Sequence, residues 1–363
     1  MIGPTLGLYF GRRFASAVAL IFFGCVGLIM LVDFLEMARR TADHDDVTTT
    51  MVALVTLYRA PAFTEQLLPF AVLFGAIATF VLLSRSLELV VARAVGLSAW
   101  QFIAPAVIIA FLIGVFATCV FNPISAEFKE RANEMESRMF GSSAALAAGG
   151  KQDFWVRQQS VDGQAIIQAA ASSQGGRVLS SVVVYEFGND GKLIERVEAP
   201  TATLGDGAWV LRNARVLVPG QDLQQFDTYL IATHLDPGQV LESLIAPETV
   251  PFWQLPAAIR SAEHAGFGAA RYRLQFQSLL ARPLLLVAMV LIAAVVGLRV
   301  FRFGGVGQTI LGGVAAGFLL YVGTKLAEDL GEAGIVHPVA AAWFPAVAGI
   351  VMGALILLHR EDG

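Results

Sequence analysis

The sequence predicts an α-helical polytopic membrane protein: six transmembrane helices, three plus three, around one inserted all-β, jellyroll-like domain. Two observations carry the prediction. Long charge-free apolar runs fall into two groups of three, and between the groups lies a polar, β-patterned stretch of about 150 residues. Composition agrees, since 56% of the 363 residues are hydrophobic and only 15% charged, with the apolar residues clustered rather than spread.

Phe14 to Val32 carries no charge and is long enough as a helix to cross roughly 30 Å of hydrocarbon. Arg12 and Arg13 precede it as in a signal peptide, but no small-residue cleavage site follows cleanly, so it reads as a retained first span. Gln66 to Ser84 is span two, and about Gln101 to Phe121 is span three. Leu284 to Leu298 is the core of span four and must recruit residues from about Phe276 to be long enough. Phe303 to Thr324 and Val339 to Leu358 supply spans five and six. Hydrocarbon offers backbone groups no water to bond, and these runs do not alternate as barrel strands would, so helices are the form they take.

Short-loop cations set the orientation. Arg12 and Arg13, Arg85 and Arg93, Arg299 and Arg302, and Arg360 all fall on one side, against Arg39, Arg40 and Arg271 on the other. The positive-inside rule makes the first side cytoplasmic, placing both termini there and the middle domain outside, in a periplasm. A net charge of −4 without a basic stripe argues against nucleic-acid binding. Cys25 and Cys119 lie inside apolar runs, where packing is the expected role.

The expected division is 1–124 for the first three spans, 125–270 for the periplasmic domain with flanking helices, and 271–363 for the last three spans. Ser125 to Met139 reads as a charged helix leaving the membrane, ended by Gly149 and Gly150. Strands are expected at Phe154–Arg157, Ala165–Ala170, Leu179–Phe187, Leu193–Ala199, Trp209–Val218 and Phe226–Ala232, a spacing that suits a sandwich or jelly roll. Pro251 to Ala265 then leads back as a helix. No nucleophile elbow, zinc spacing or paired-carboxylate signature stands out, and His234 near Asp236 reads as a turn histidine rather than a catalytic pair.

Between spans two and three, Ser84 to Gly96 is too polar to span and suits a short amphipathic cytoplasmic helix closed by glycine. Leu87, Val90, Val91 and Ala94 share one face, with Glu88 beside it. Glu88 either pairs with an arginine of a docked protein or is solvated on a helix that lies against its own bundle. On span five, Phe318, Tyr321 and Lys325 fall on one helical face. They form either an apolar wall with a cation at its outer end, or ordinary packing with Lys325 paired to Asp329. Arg282 lies within the extended span four, where an ionisable side chain needs a cavity or a partner.

Glu88-Leu89-Val90-Val91 followed by Ala94-Val95-Gly96-Leu97-Ser98 resembles the coupling helix of the LptF/LptG family of lipopolysaccharide export permeases, nearest its LptG branch. Further matches are Tyr9, Arg12-Arg13-Phe14, Pro61, Pro69, Asn122-Pro123, Arg271 to Phe276, Arg282-Pro283-Leu284, Gly317-Phe318 and Tyr321. The resemblance covers essentially the whole chain. It implies one permease subunit of an ABC transporter in a bacterial inner membrane, paired with an LptF-type permease and an LptC-type protein. An LptB-type ATPase dimer would bind ATP and Mg and supply the work. This chain has no Gly-x-x-x-x-Gly-Lys-Ser/Thr loop, so hydrolysis is expected of another chain, and no cofactor, metal or catalytic residue is expected in this one.

By the same resemblance Glu88, Leu87, Val91 and Arg93 would couple to the ATPase, and lipopolysaccharide would enter a cavity lined by spans one and five. Phe318, Tyr321 and Lys325, with Arg282, Arg39 and Arg40 as phosphate contacts, would bind it. Where family members often carry lysines along the outer turn of span one, this chain has Met30, Asp33, Glu36 and Met37, which puts phosphate binding at that place in question. Two rival classes share some of these features: a lipoprotein-release or mechanotransmitting ABC permease, with four spans, and a membrane-embedded enzyme or scaffold for envelope lipids, with no ATPase partner.

Overall fold

The computed structural model describes residues 4–42, 48–86, 88, 91, 94, 96, 98–148, 154–160, 163–173, 178–188, 192–205, 207–219, 223–233, 247–264, 269–298 and 306–361. Leu87, Arg93, His234 and Asp236 lie outside that set. The chain divides into two compact units, Met1–Glu130 with Pro247–Pro256 and Ala269–Gly363, and Arg131–Ala246 with Ala257–Gly268.

The first unit is helical. Its elements are α1 (Pro4–Arg40), α2 (Thr49–Arg85), α3 (Ala99–Phe116), α6 (Ala270–Gly297), α7 (Val306–Glu332) and α8 (Pro338–Glu361). Among the described residues six helices are long and apolar enough to cross a membrane, one for each expected span. They run further than charge-free windows suggested. Span two begins at Thr49 rather than Gln66, where the added Arg59 and Glu65 are paired with Asp33 and Arg282 of the same unit, and span four begins at Ala270 rather than about Phe276. A π-helical turn, Ala117–Phe121, joins α3 to α4 (Asn122–Ala148) without a break.

Helices α2 and α6 form the centre of this unit, with 72% and 67% of their most apolar windows buried, against 6% for α1 and 17% for α7. Prolines within the helices leave carbonyls that other side chains complete. Pro283 has no N–H for the Leu279 carbonyl, and Thr118 Oγ1, on the π turn, donates to it at 2.9 Å. Pro123 likewise gives no N–H to the preceding turn, and the Trp253 indole donates to the Cys119 carbonyl at 2.9 Å. Both cysteines are free, as packing residues would be.

The second unit holds β1 (Phe154–Ser160), β2 (Gly163–Ser173), β3 (Val178–Phe187), β4 (Leu193–Gly205), β5 (Ala208–Leu217) and β6 (Gln224–Ala232), together with α5 (Leu255–His264), whose chain begins in the other unit. The inserted all-β domain is thus present, with one strand at each of the six expected places. The described strands form one antiparallel sheet in sequence order, each hydrogen-bonded to the next, because every connection among them is a short hairpin.

One line across this sheet breaks the alternation. Pairing resumes in unchanged register on both sides of Ala170, Ser181, Pro200, Asn213 and Asp227, but those residues pair with nothing in the ladder. Ser181 and Asn213 there have φ of 50° and 52°. Each of β2 to β6 therefore contributes one extra residue at the same level, and in β3, β4 and β5 the buried positions run Leu179 then Val182, Ala199 then Ala202, and Leu211 then Ala214. The shift keeps one apolar face continuous, and it seats Pro200, which has no N–H to donate, where no ladder bond is required.

Candidate functional site

Two clusters in the helical unit carry charge where packing alone would not place it. The first lies beside the N-terminal third of α1. Arg13 Nη1 donates to Glu88 Oε1 at 2.9 Å and to Tyr9 Oη at 2.7 Å, and Ser86 Oγ donates to the same Glu88 oxygen at 2.9 Å. Glu88, expected either to reach a docked protein or to be solvated, is instead bound by its own chain, with its side chain 33% exposed. Val91, from the same expected helix, is 62% exposed.

The second cluster is a recess of about 150 Å³ between α2, α4, α6, α7 and α8, lined by Glu65, Lys129, Glu248, Arg282, Tyr321 and Lys325 among others. Arg282 Nη1 stands 3.5 Å from Glu65 Oε2, an ion pair without a hydrogen bond. Among the described residues that nitrogen and the Ser278 hydroxyl are buried with no hydrogen-bond partner. Glu65 also accepts from Asn122 Nδ2 at 3.2 Å, and Asn122 Oδ1 accepts from the Phe252 N–H at 3.0 Å. The expectation that Arg282 needs a partner or a cavity is met on both counts.

The face shared by Phe318, Tyr321 and Lys325 is divided. Tyr321 turns inward onto Phe70, ring centroids 4.6 Å apart, and lines the recess with Lys325, which pairs with Glu328 at 2.8 Å rather than with Asp329. Phe318 is 54% exposed and lies outside the recess. At the C-terminal end of α1, Arg39 is exposed and Arg40 Nε donates to Glu36 at 2.8 Å. Asp33 faces Arg59 at 3.5 Å, so both acids on the outer turn of span one, Asp33 and Glu36, are engaged by cations of this chain.

Lys129 from α4 pairs with Glu248 of the short Pro247–Thr249 turn. Burial alone would raise the Glu248 carboxyl, but the Lys129 ammonium outweighs it and holds the group below its usual range. A depressed carboxylate contributes stability that is complete above its unfolded value and is lost as pH falls through the folded one. The gap in thermal midpoint between the unsubstituted protein and E248Q is therefore expected to be present at pH 7 and to close below pH ~4. A gap that persists in acid would assign the effect to shape rather than charge.

Sequence reasoning missed Glu65 and Arg59 because each lies among residues trimmed from the span by hydropathy. It missed Arg13 as the partner of Glu88 because 75 residues separate them and no pattern links the two.

Six helices able to cross a membrane, an inserted antiparallel sheet and charged clusters among the helices fit a polytopic membrane protein. The chain belongs to the lipopolysaccharide export system permease family LptF/LptG, whose family model matches residues 8–360. It is 21% identical over 370 residues to the lipopolysaccharide export system permease protein LptG of Escherichia coli K12, covering 98% of this chain and 99% of that protein. The LptG protein of Escherichia coli O6:H1 (strain CFT073) is similar to the same extent, 21% over 98% of the chain. The expected family and branch are borne out.

Proposed function

We propose that this chain is one permease half of an ATP-driven exporter that takes lipopolysaccharide from the bacterial inner membrane and passes it to a periplasmic bridge. The observation that carries this reading is the uneven cover of the helices: α1 and α7 leave their apolar faces open, with Leu20, Phe23, Leu28, Leu311, Phe318 and Leu319 all more than half exposed. A second permease of the LptF type, apposed to those faces, closes a cavity walled by apolar side chains suited to acyl chains. Both termini are cytoplasmic and the 125–270 region is periplasmic, with an LptC-type protein receiving the lipid.

ATP and Mg are bound by an LptB-type ATPase dimer that docks on the segment around Glu88, with Leu87, Val91 and Arg93 alongside. Phe318 faces the acyl chains. Tyr321, Lys325 and Arg282 line the outer recess, where a lipid phosphate exchanges with Glu65 and Glu328 for their cations, and Arg39 and Arg40 stand at the same end.

Purification with the second permease and the ATPase, followed by photocrosslinking to lipopolysaccharide, tests the proposal. A carboxylate in an acyl wall is disfavoured by about 2.5–3.5 kcal/mol, so F318D is expected to lower crosslinking at least tenfold while the complex still assembles. Unchanged crosslinking, or a complex that carries no lipopolysaccharide, overturns the reading.

A further inference from the structure

We propose that Arg13 is a positioning residue that carries a displacement of the Glu88 segment into α1. The inference rests on the functional reading above and adds the route by which force leaves the docking segment. The contact is specific in its chemistry. One guanidinium nitrogen is shared between the Glu88 carboxylate at 2.9 Å and the Tyr9 hydroxyl at 2.7 Å, and the guanidinium carbon lies 5.8 Å from the centroid of the Tyr9 ring. Ser86, the residue that follows α2, holds the same carboxylate oxygen at 2.9 Å. The carboxylate is therefore gripped from two sides, by the end of α2 and by α1.

Of these two helices α1 is the less enclosed by the rest of the chain. α2 is the most enclosed helix of the unit and α1 the least, at 72% and 6% of their apolar windows. Within α1, burial is concentrated around Arg13: Phe10, Phe14 and Val18 are 5%, 0% and 4% exposed. Phe10 packs against Phe102 of α3, the rings tilted at 56° with centroids 4.4 Å apart. At Gly75 of α2 a Cβ would fall 2.8 Å from the Val18 Cα, so the two backbones touch there. Arg13 thus sits on the one stretch of α1 that is seated against both α2 and α3, and a pull on it is delivered to a packed helix segment rather than to a loose end. From Val18 the helix continues as the open apolar wall through Leu20, Phe23, Leu28 and Leu31, the face assigned above to the substrate cavity.

The pair is not there for stability. Its two side chains are 30% and 33% exposed, and an ion pair so placed contributes at most about 1 kcal/mol. Its use lies in joining the Glu88 segment to α1 directly, beside the indirect link that runs through the packing of α1 on α2 and α3.

The test uses the complete complex in proteoliposomes and reads lipopolysaccharide extracted per ATP hydrolysed for R13Q, E88Q, the double variant and R13K. R13Q is expected to lower that ratio roughly tenfold, the double variant to be no worse than E88Q alone, and R13K to recover most of the loss. Should R13Q fail to assemble, Y9F, which removes only the hydroxyl that steadies the guanidinium, is expected to lower the ratio about threefold. An unaltered ratio in R13Q, or in Y9F where R13Q does not assemble, overturns the link, as do losses that multiply in the double variant. E88Q separates the two ideas: if it impairs coupling while R13Q does not, only the link fails, whereas a silent E88Q removes the coupling role of that segment and the link with it.

Discussion

Replacing Arg282 with leucine is expected to destabilise the helical unit by about 3 kcal/mol, more than the ion pair with Glu65 contributes while intact. The reason is asymmetry. Glu65 and Arg282 have side chains only 13% and 20% exposed, and with the guanidinium gone the carboxylate keeps its charge while losing its counterion. Asn122 still donates to Glu65 at 3.2 Å, which satisfies one oxygen and offsets none of the charge. The double variant E65L/R282L removes both charges together and is expected to recover most of the loss, because two apolar side chains replace a pair that had to be desolvated to form. Thermal unfolding of the purified complex in detergent measures both. The Glu36–Arg40 pair gives the scale for comparison: its side chains are 50% and 43% exposed, so E36A is expected to change stability by no more than about 0.5 kcal/mol. If R282L matched E36A, the recess would be a wet surface groove rather than a low-dielectric site.

The spans were legible because hydrocarbon excludes charge, so a run such as Leu284 to Leu298 can be read from composition alone. Their ends were not. Glu65 bounded span two on the page, yet the helix passes straight through it, because a carboxylate beside a guanidinium is tolerated where a lone one is not. The six strands were found from turn signals and β-branched runs, but the break in their alternation went unread. Its trace is present: apolar residues at Leu179 and Val182, at Ala199 and Ala202, and at Leu211 and Ala214 are three apart, where a flat strand would place them two or four apart. One such slip is uninformative, and three become meaningful only once the register shows that they lie on one line. Glu88 was singled out by charge and helix face, whereas its grip by Arg13 and Ser86 depends on how α1 is packed, which no local pattern encodes.

The helix contact least able to give is at Gly114, and G114L is expected to abolish the folded helical unit. A Cβ at Gly114 would lie 2.4 Å from the Pro283 Cα, so the obstacle is backbone, and proline fixes that backbone further. No rotamer change relieves it; α3 and α6 must move apart. That movement also breaks the bond from Thr118 to the Leu279 carbonyl one turn along, leaving in hydrocarbon a carbonyl that Pro283 cannot complete. Even G114A is expected to lose about 2–4 kcal/mol, combining about 1–3 for forced separation with about 1 for the buried hydrogen bond. Recovery of G114L as a normally assembled protein would mean that α3 and α6 are not held at the distance argued here. The recess beside Arg282, the residue that precedes Pro283 on α6, would then lose its fixed wall as well.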